Sequence, residues 1–457
     1  MLPSVDSLVN SAGGDKLGQR YGRTAFVDAV RTVLESLRTE IGDDSIKIPP
    51  DVSAESVLKK VAASLEARLR PSLRAAINAT GIIMHSGLGR AVLSEDAGKA
   101  LSEIAGGYST LALDTETGKR SSRDRHVRGI LMDLTGAEDA TVVNNNAAAT
   151  VLVLNTLAKG KEVIVSRGQL VEIGGSFRMP EVMGMSGAIL REVGATNKTH
   201  LRDYEAAIGD ATGAILRVHH SNYRIVGFAE EPGIEDLVRL GREKGVPVID
   251  DIGSGAFVDL RTYGLETEPM VQTSVRAGAD IVCFSGDKLI GGPQSGIIVG
   301  RGDLIQAMRK NPLARAFRCG KLTLAALEAT LKLFLHPETL DFRHPIYRML
   351  TLDIDVIGKR VETVVSRLHG ALPAGVQVEV VDGGSQVVSG SVPVEILPTR
   401  LLSLRSDRDS PAEIGRRLRG QVPAVFTRIH EQAVLFDFRT VQPDEDNPVE
   451  AAILRLF

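Results

Sequence analysis

The sequence predicts an α/β protein: a large domain built on a mostly parallel sheet covered by helices, a helical segment before it and a small α+β domain after it. Three observations predict this. From about residue 75 to 335, short apolar runs alternate with helical stretches, the pattern of strand–helix–strand units. The runs are continuously apolar, as strands buried on both faces must be. The chain is also 457 residues long, more than one ordinary core accommodates, so two or three domains are expected.

The elements follow in order. Residues 1–70 read as a helical unit, because Phe26, Val30, Val33, Leu34 and Leu37 fall at helical spacing, as do Val57, Val61, Leu65 and Leu69. Gly42 to Ser53, with Pro49-Pro50, is a linker or turn between them. Basic residues are frequent here, but acids nearly balance them, so a solvated helix face is the default reading. Residues 71–335 form the large domain. Its strands include Glu162 to Val165, Ala214 to Val218, Val246 to Ile249 and Ile281 to Phe284, and Ile234 to Lys244 is one of its helices. Residues 336–457 form the small domain. His336-Pro337 and His344-Pro345 mark the transition, since the residue before proline resists helix. Val376 to Val381 reads as a strand leading into the glycine-rich 382–390. Ser410-Pro411 opens a helix as N-cap and first residue, and Val434 to Phe438 is a late strand.

Composition narrows the function classes. Hydrophobic residues make up 43% and charged residues 24%, as in globular proteins. A net charge of −3 provides no global basic field for nucleic acid. Two cysteines cannot make a disulfide framework, and Cys283, inside an apolar run, reads as a small core residue. The start has neither a basic region nor an apolar stretch, so no leader and no membrane span are expected, and a cytoplasmic setting fits. No metal site is expected.

The chemistry concentrates at Phe284-Ser285-Gly286-Asp287-Lys288-Leu289-Ile290-Gly291-Gly292-Pro293-Gln294. A lysine between a small-residue turn and a glycine-rich exit can form an internal Schiff base with pyridoxal phosphate, provided it is desolvated enough to be neutral part of the time. Ser285 could bond the cofactor phosphate, and the glycines allow close backbone approach. Taken alone, Lys288 reads equally as a surface lysine on a turn. Upstream, Val246 to Gly255 is a buried strand that delivers acid to its C-terminal edge. Such an acid can keep the pyridine nitrogen protonated, so that the ring accepts electrons. Strand alternation lets only one of Asp250 and Asp251 face the ring. Asp251 is the choice, and Asp250 is expected to be a helix cap or turn former. Further upstream, a β-branched strand runs into Asn144-Asn145-Asn146-Ala147 and a small-residue helix. Asn145, Asn146 and Ala147 can hold a phosphate at the helix start, though an ordinary Asn N-cap is the competing reading. Phosphate loop, then acid, then lysine is the order of a large pyridoxal-phosphate domain.

With those residues in place, the chain resembles the bacterial selenocysteine synthase family, the L-seryl-tRNA(Sec) selenium transferases. The matching stretches include Ile77 to Gly81, Leu88 to Arg90, Thr117 to Arg120, Leu134 to Ala140, Ser166 to Gly168, Val171 to Arg178, Thr196-Asn197, Ser221 to Tyr223 and Ser285 to Gln294. The resemblance implies fold type I, the aspartate-aminotransferase-like fold. It also implies replacement of the serine hydroxyl on seryl-tRNA(Sec) by selenium from selenophosphate, through a cofactor-bound aminoacrylate. It further implies a tRNA-recognising N-terminal domain and a homo-oligomer, a ring of dimers forming a decamer. Both substrates are anions, so the pocket needs cations. Arg90, Arg315 and Arg318 are the candidates, with Arg315 and Arg318 placed near one face. The resemblance also puts Asn222 at the ring hydroxyl and Arg167 beside the ring. His219 and His220 read as structural, while Glu172 and Arg178 could serve the pocket or a subunit interface. Ser86-Gly87 stands where Thr-Asn is usual, Ser121 where glycine is usual, and Val388 to Ser391 where a glycine run is usual. These departures leave Lys288 and Asp251 intact; Ser86-Gly87 motivates the reading of a related lyase acting on a small free amino acid, and a third reading, a catalytically silent RNA-binding protein, is one that intact Lys288 and Asp251 argue against.

Overall fold

The structure is a computed structural model that describes residues 2–42, 50–173, 177–220, 223, 225–265, 268–388 and 396–457. The chain divides into two compact units, Met1–Ala75 and Ala76–Phe457. Among its described residues the first has four helices: α1 (Val5–Val9), α2 (Ala12–Tyr21), α3 (Arg23–Ile41) and α4 (Ala54–Leu69). Ser4, Ser11 and Ser53 each cap a helix by accepting a backbone N–H three residues on. Phe26, Val30, Leu34 and Leu37 of α3 pack with Val57, Val61 and Leu65 of α4 and with Leu8 of α1. The apolar stripe expected on each long helix is therefore the core of this unit, except for Leu69 at the end of α4, which is exposed. Most of the expected 42–53 linker lies outside the described residues.

In chain order, the strands of the second unit are β1 (Ala76–Ala79), β2 (Ile82–Met84), β3 (Asp139–Val143), β4 (Glu162–Ser166), β5 (Glu172–Ile173), β6 (Phe177–Arg178), β7 (Ile189–Val193), β8 (Thr212–Val218), β9 (Val248–Gly253), β10 (Ile281–Ser285) and β11 (Gly296–Gly300). β12 (Val376–Val388), β13 (Ile396–Ser406), β14 (Ala424–His430) and β15 (Ala433–Asp437) follow. Seven form one sheet in the order β3-β11-β10-β9-β8-β4-β7. Its pairings are parallel except at β11, which runs antiparallel to both β10 and β3. Both faces are buried. Val163, Leu216, Ile249 and Cys283 join one core with Leu152 and Val153 of the helix Asn146–Ala158. Ile164, Ile215, Val248 and Val282 join another with Leu237 and Val238 of the helix Ile234–Lys244. Each such side chain contributes about 1.5–3 kcal/mol on burial. Cys283 is a core residue, and desolvation pushes its thiol well above the ordinary range.

Asp250 departs from the expectation. It lies within β9, fully buried, where the Arg217 guanidinium on β8 donates to it at 3.0 Å and the Ser274 hydroxyl at 2.6 Å. A buried carboxylate needs such partners, and the neighbouring strand and helix supply them, so it neither caps a helix nor makes a turn.

The second sheet runs β1-β14-β15-β13-β12-β2, so two strands from the start of the unit complete a sheet made mainly by its end. Val361 and Val364 of the helix Ile354–His369, Ile414 of Pro411–Arg419 and Ile453 of Asp446–Leu454 pack on Leu402, Leu404, Val434 and Phe436. Ser410 caps the helix Pro411–Arg419 as its sequence suggests. β12 extends seven residues past Val381, through Asp382-Gly383-Gly384 and on to Val388. The two glycines sit inside the strand because a side chain at Gly383 would come within 2.4 Å of Leu401, and one at Gly384 within 2.1 Å of Ile396. Among the described residues, no helix is long and apolar enough to cross a membrane.

Candidate active site

Parallel order places the C-terminal ends of β9 and β10 side by side, with Cys283 opposite Asp251 in register. β10 ends at the buried Ser285, and the chain then turns tightly through Gly286 to Gly292. The turn is held by Gly286 N–H to Ser295 O, Gly291 N–H to Lys288 O and Gly292 N–H to Gly286 O, each 2.8 Å. Gly291 has φ 68°, and a Cβ there would lie 2.1 Å from the His344 ring, so glycine is required on both counts. Lys288 emerges from this turn. Burial lowers its pKa and the nearby Arg90 charge lowers it further, while Asp251, Asp287 and Glu268 pull the other way; the net direction is down. A lysine so placed has the neutral form that a carbonyl-attacking amine requires.

Asp251 is buried, and desolvation raises its pKa despite three donors. Asn146 Nδ2 donates to it at 2.8 Å, Thr150 Oγ1 at 2.9 Å and the Gly253 N–H at 3.2 Å. Asn145 caps the helix Asn146–Ala158, its side chain accepting the Ala148 N–H at 2.8 Å. The phosphate-loop and N-cap readings of this triplet are thus compatible: the Asn145 side chain caps, and Asn146 and Ala147 occupy the helix start, where N–H groups lack intrahelical partners. Gly296 makes the approach possible, because a Cβ there would sit 2.1 Å from the Asn145 carbonyl oxygen.

Arg90 follows Gly89 at positive φ, 63°, and its Nη1 donates to Asp287 at 2.9 Å. It therefore shares the site with Lys288. Arg315 and Arg318 lie by the end of β3, where the chain leads into the Asn145–Ala147 helix start. They line a cleft of about 360 Å³ with Arg120, Arg123 and Arg309, and Lys288, Asp251 and Arg90 are not among its lining residues. That cleft lies along β3, where Val143 bridges Arg318 and the Asn144 N–H donates to Phe317 O at 2.8 Å. Arg309 is paired with Asp139 and Asp124. Arg318 has its pKa lowered, first by the like charge of Arg123, then by desolvation and by the like charge of Arg315.

The remaining candidates are dispersed. Arg167 is half-exposed and donates to Glu192 at 2.8 Å. Asn222 lies outside the described residues. The His219 N–H donates to Asp251 O at 2.9 Å, which ties the end of β8 to the site, and His220 lies 2.9 Å from Gly168 O. Glu172 and Arg178 pair with each other across β5 and β6 at 2.7 Å. Thr150, Asp287, Ser254 and Glu268 were not legible from motifs. Thr150 had one signal, its place a helical turn after Asn146, on the same face.

These residues fit pyridoxal phosphate. A buried carboxylate stands ready for a ring N–H, a buried lysine lies within its electrostatic reach, and a helix start faces the same region. Asn146 Oδ1 adds a buried acceptor with no hydrogen-bond partner among the described residues. Fold and site together define a pyridoxal-phosphate-dependent enzyme of fold type I. The solved structure of D-glucosaminate-6-phosphate ammonia-lyase shares the fold, with a TM-score of 0.58 at 21% identity over 86% of this chain and 97% of that one.

A family model described as L-seryl-tRNA selenium transferase matches residues 76–442, and one described as selenocysteine synthase N terminal matches residues 1–38. The L-seryl-tRNA(Sec) selenium transferase of Alkaliphilus metalliredigens is 50% identical over 96% of this chain and 95% of its own length. That of Solidesulfovibrio magneticus is 48% identical over 97% and 95%. The chain belongs to the L-seryl-tRNA(Sec) selenium transferase family.

Proposed function

We propose that this protein converts L-seryl-tRNA(Sec) to L-selenocysteinyl-tRNA(Sec) with selenophosphate as the selenium donor. One observation carries the reading: Lys288, Asp251 and Arg90 meet at the C-terminal ends of β9 and β10, in a chain that matches the family along nearly its whole length. Bound pyridoxal phosphate supplies an electron sink next to the serine Cα. Lys288 would hold the cofactor, and its Nζ would take the Cα proton. Asp251, fixed by Asn146 and Thr150, holds a proton on the ring nitrogen. The helix start at Asn146 and Ala147, with Ser285, would receive the cofactor phosphate, and the ring hydroxyl is the role the resemblance gives Asn222. Arg90 faces the anionic donor from the Lys288 side.

Arg315 and Arg318 line a cleft apart from Lys288 in the same chain. We therefore assign them to the site of a second copy, in a homo-oligomer built as a ring of dimers and working in the cytoplasm. The helices of residues 1–75 serve the tRNA. The test is conversion of serine-charged tRNA(Sec) by purified protein with pyridoxal phosphate and selenophosphate, beside free serine. Selenocysteinyl-tRNA is the expected product, and elimination from free serine with no change in the tRNA would overturn the reading. Borohydride should fix the cofactor on the Lys288 peptide.

A further inference from the structure

Leu402, Leu404, Val434 and Phe436 point to the helices that cover one face of the second sheet. Alternation turns Val381, Leu401, Ser403, Arg405, Arg428 and Leu435 to the opposite face, where they line a cleft of about 570 Å³. Every lining residue belongs to β12–β15 or the turn between β14 and β15, and Lys288, Asp251, Arg90 and Arg318 are not among them. Gly383 keeps the floor open, since a side chain there would meet Leu401 at 2.4 Å. At the mouth, the two-residue turn Glu431-Gln432 joins His430 to Ala433 with φ of 44° and 64°. Such a turn is normally built from asparagine, aspartate or glycine, so this one is strained where it borders the cleft.

Three donors face this cleft with hydrogen-bonding capacity unused. Ser403 is 1% exposed, and its hydroxyl has no partner among the described residues. Arg428 places Nη1 on Gly384 O at 2.9 Å and Nη2 on Asp437 at 3.2 Å, but its buried Nε has no partner among the described residues. Arg405 is exposed and pairs with no carboxylate among the described residues. The nearby acids are engaged: Asp437 with Arg428, Ser385 and Thr399, Asp382 with Arg400 at 2.8 Å, and Glu431 lies 3.6 Å from His430. Glu379, opposite Ser403 in register, is exposed and does not line the cleft. Buried polar groups are ordinarily paired, so unpaired donors turned toward one cleft call for an acceptor there. We propose that the cleft binds a phosphate monoester on a flat apolar body, such as a nucleoside monophosphate. Ser403 and Arg405 are about 7 Å apart along β13, and Arg428 lies two strands away, about 10 Å across, within reach of long guanidinium side chains. Three donors match the three terminal oxygens of a phosphate better than the two of a carboxylate. Val381, Leu401 and Leu435 give the body an apolar floor, and the volume is that of a small-molecule site rather than of a bare ion. The inference does not rest on the proposed function.

The test is equilibrium dialysis of the full-length chain, saturated with pyridoxal phosphate, against radiolabelled AMP. Saturable binding of one AMP per chain is expected, with adenosine and inorganic phosphate each competing at least about tenfold more weakly, because each carries only half of the recognised chemistry. Arg405→Gln replaces an exposed side chain, so the fold is kept, and it should weaken AMP at least about tenfold. Ser403→Ala should weaken it about threefold to tenfold by removing one hydrogen bond. Neither variant should alter the absorbance of bound pyridoxal phosphate. No saturable uptake of AMP would overturn the proposal, as would an affinity unchanged in both variants, which would put the nucleotide in another site. Octanoate displacing AMP with equal or better affinity would overturn the phosphate assignment in favour of a carboxylate.

Discussion

His344 lies beneath the lysine turn and offers a measurable coupling between that turn and pH. It is almost completely buried, and its Nε2–H donates to Ile290 O at 2.9 Å. Its ring packs on Phe334 and Tyr347, while Tyr347 in turn donates to Leu289 O at 3.3 Å. Desolvation lowers its pKa from 6.5 to about 4. The unfolded chain, with the ordinary imidazole value, takes up a proton first as pH falls. The stability associated with neutral His344 is therefore complete above pH 6.5, is lost as pH falls from 6.5 to about 4, and changes no further below that.

At 1.36 kcal/mol per pH unit, the interval corresponds to about 3.4 kcal/mol in full and about 2 kcal/mol by pH 5. For a folding unit the size of Ala76–Phe457, about 2 kcal/mol corresponds to a shift of roughly 2–3 °C in melting temperature. The assay is the melting temperature of wild type and His344→Gln from pH 8 to 5 at constant ionic strength. A glutamine amide keeps a donor for Ile290 O but does not titrate. The variant should start lower, because a ring is lost from a packed cluster. Its decline with acid should be shallower than that of wild type by those 2–3 °C. Parallel curves would refute the reasoning, since they would mean that His344 does not enter the folded state as the neutral ring.

Four further outcomes are expected. Gly291→Ala, facing both the His344 clash at 2.1 Å and the positive φ, should displace the lysine turn and weaken cofactor binding at least about tenfold in an absorbance titration. Gly296→Ala should push Asn145 away through a 2.1 Å overlap and also weaken cofactor binding, with the largest effect when pyridoxal phosphate is compared with pyridoxal. Asp251→Asn should retain the contact to Thr150 but not hold the ring nitrogen protonated, lowering kcat by about 10³-fold or more while cofactor remains bound. If Arg318 serves a second copy, mixing inactive Lys288→Ala protomers with inactive Arg318→Gln protomers should restore about a quarter of the activity, because half the sites in each hybrid dimer are intact; no restoration would place Arg318 in the site of its own chain.

The parts of the site that were legible in the sequence are those fixed by chain direction. A parallel strand must release its polar residues at the C-terminal edge, so Asp251, Lys288 and the Asn145–Ala147 helix start could be assigned from short motifs, and the fold brings their ends together. The parts that were not legible depend on which strands become neighbours. β4 lies two places from β9 in the sheet, with β8 between them, and Arg167 at its exit turns to Glu192. Strand exits share an edge without sharing a pocket, so the rule that located Asp251 does not place Arg167, whose role beside the ring is implied by the family resemblance alone. Asp250 failed for the complementary reason: alternation showed which face it would take, but the partner on that face, Arg217, comes from a strand more than thirty residues upstream. The hydrogen bond from Ser254 to Glu268 and the packing of His344 under the lysine turn arise only when segments from separate parts of the sequence meet. The cation cleft shows the same limit from the other side. Arg315 and Arg318 were read as one pair on one face, and they do line one cleft. What local spacing could not convey is that this cleft lies along β3 and that Lys288 of its own chain is not among its lining residues, which is why the role proposed for those arginines involves a second copy.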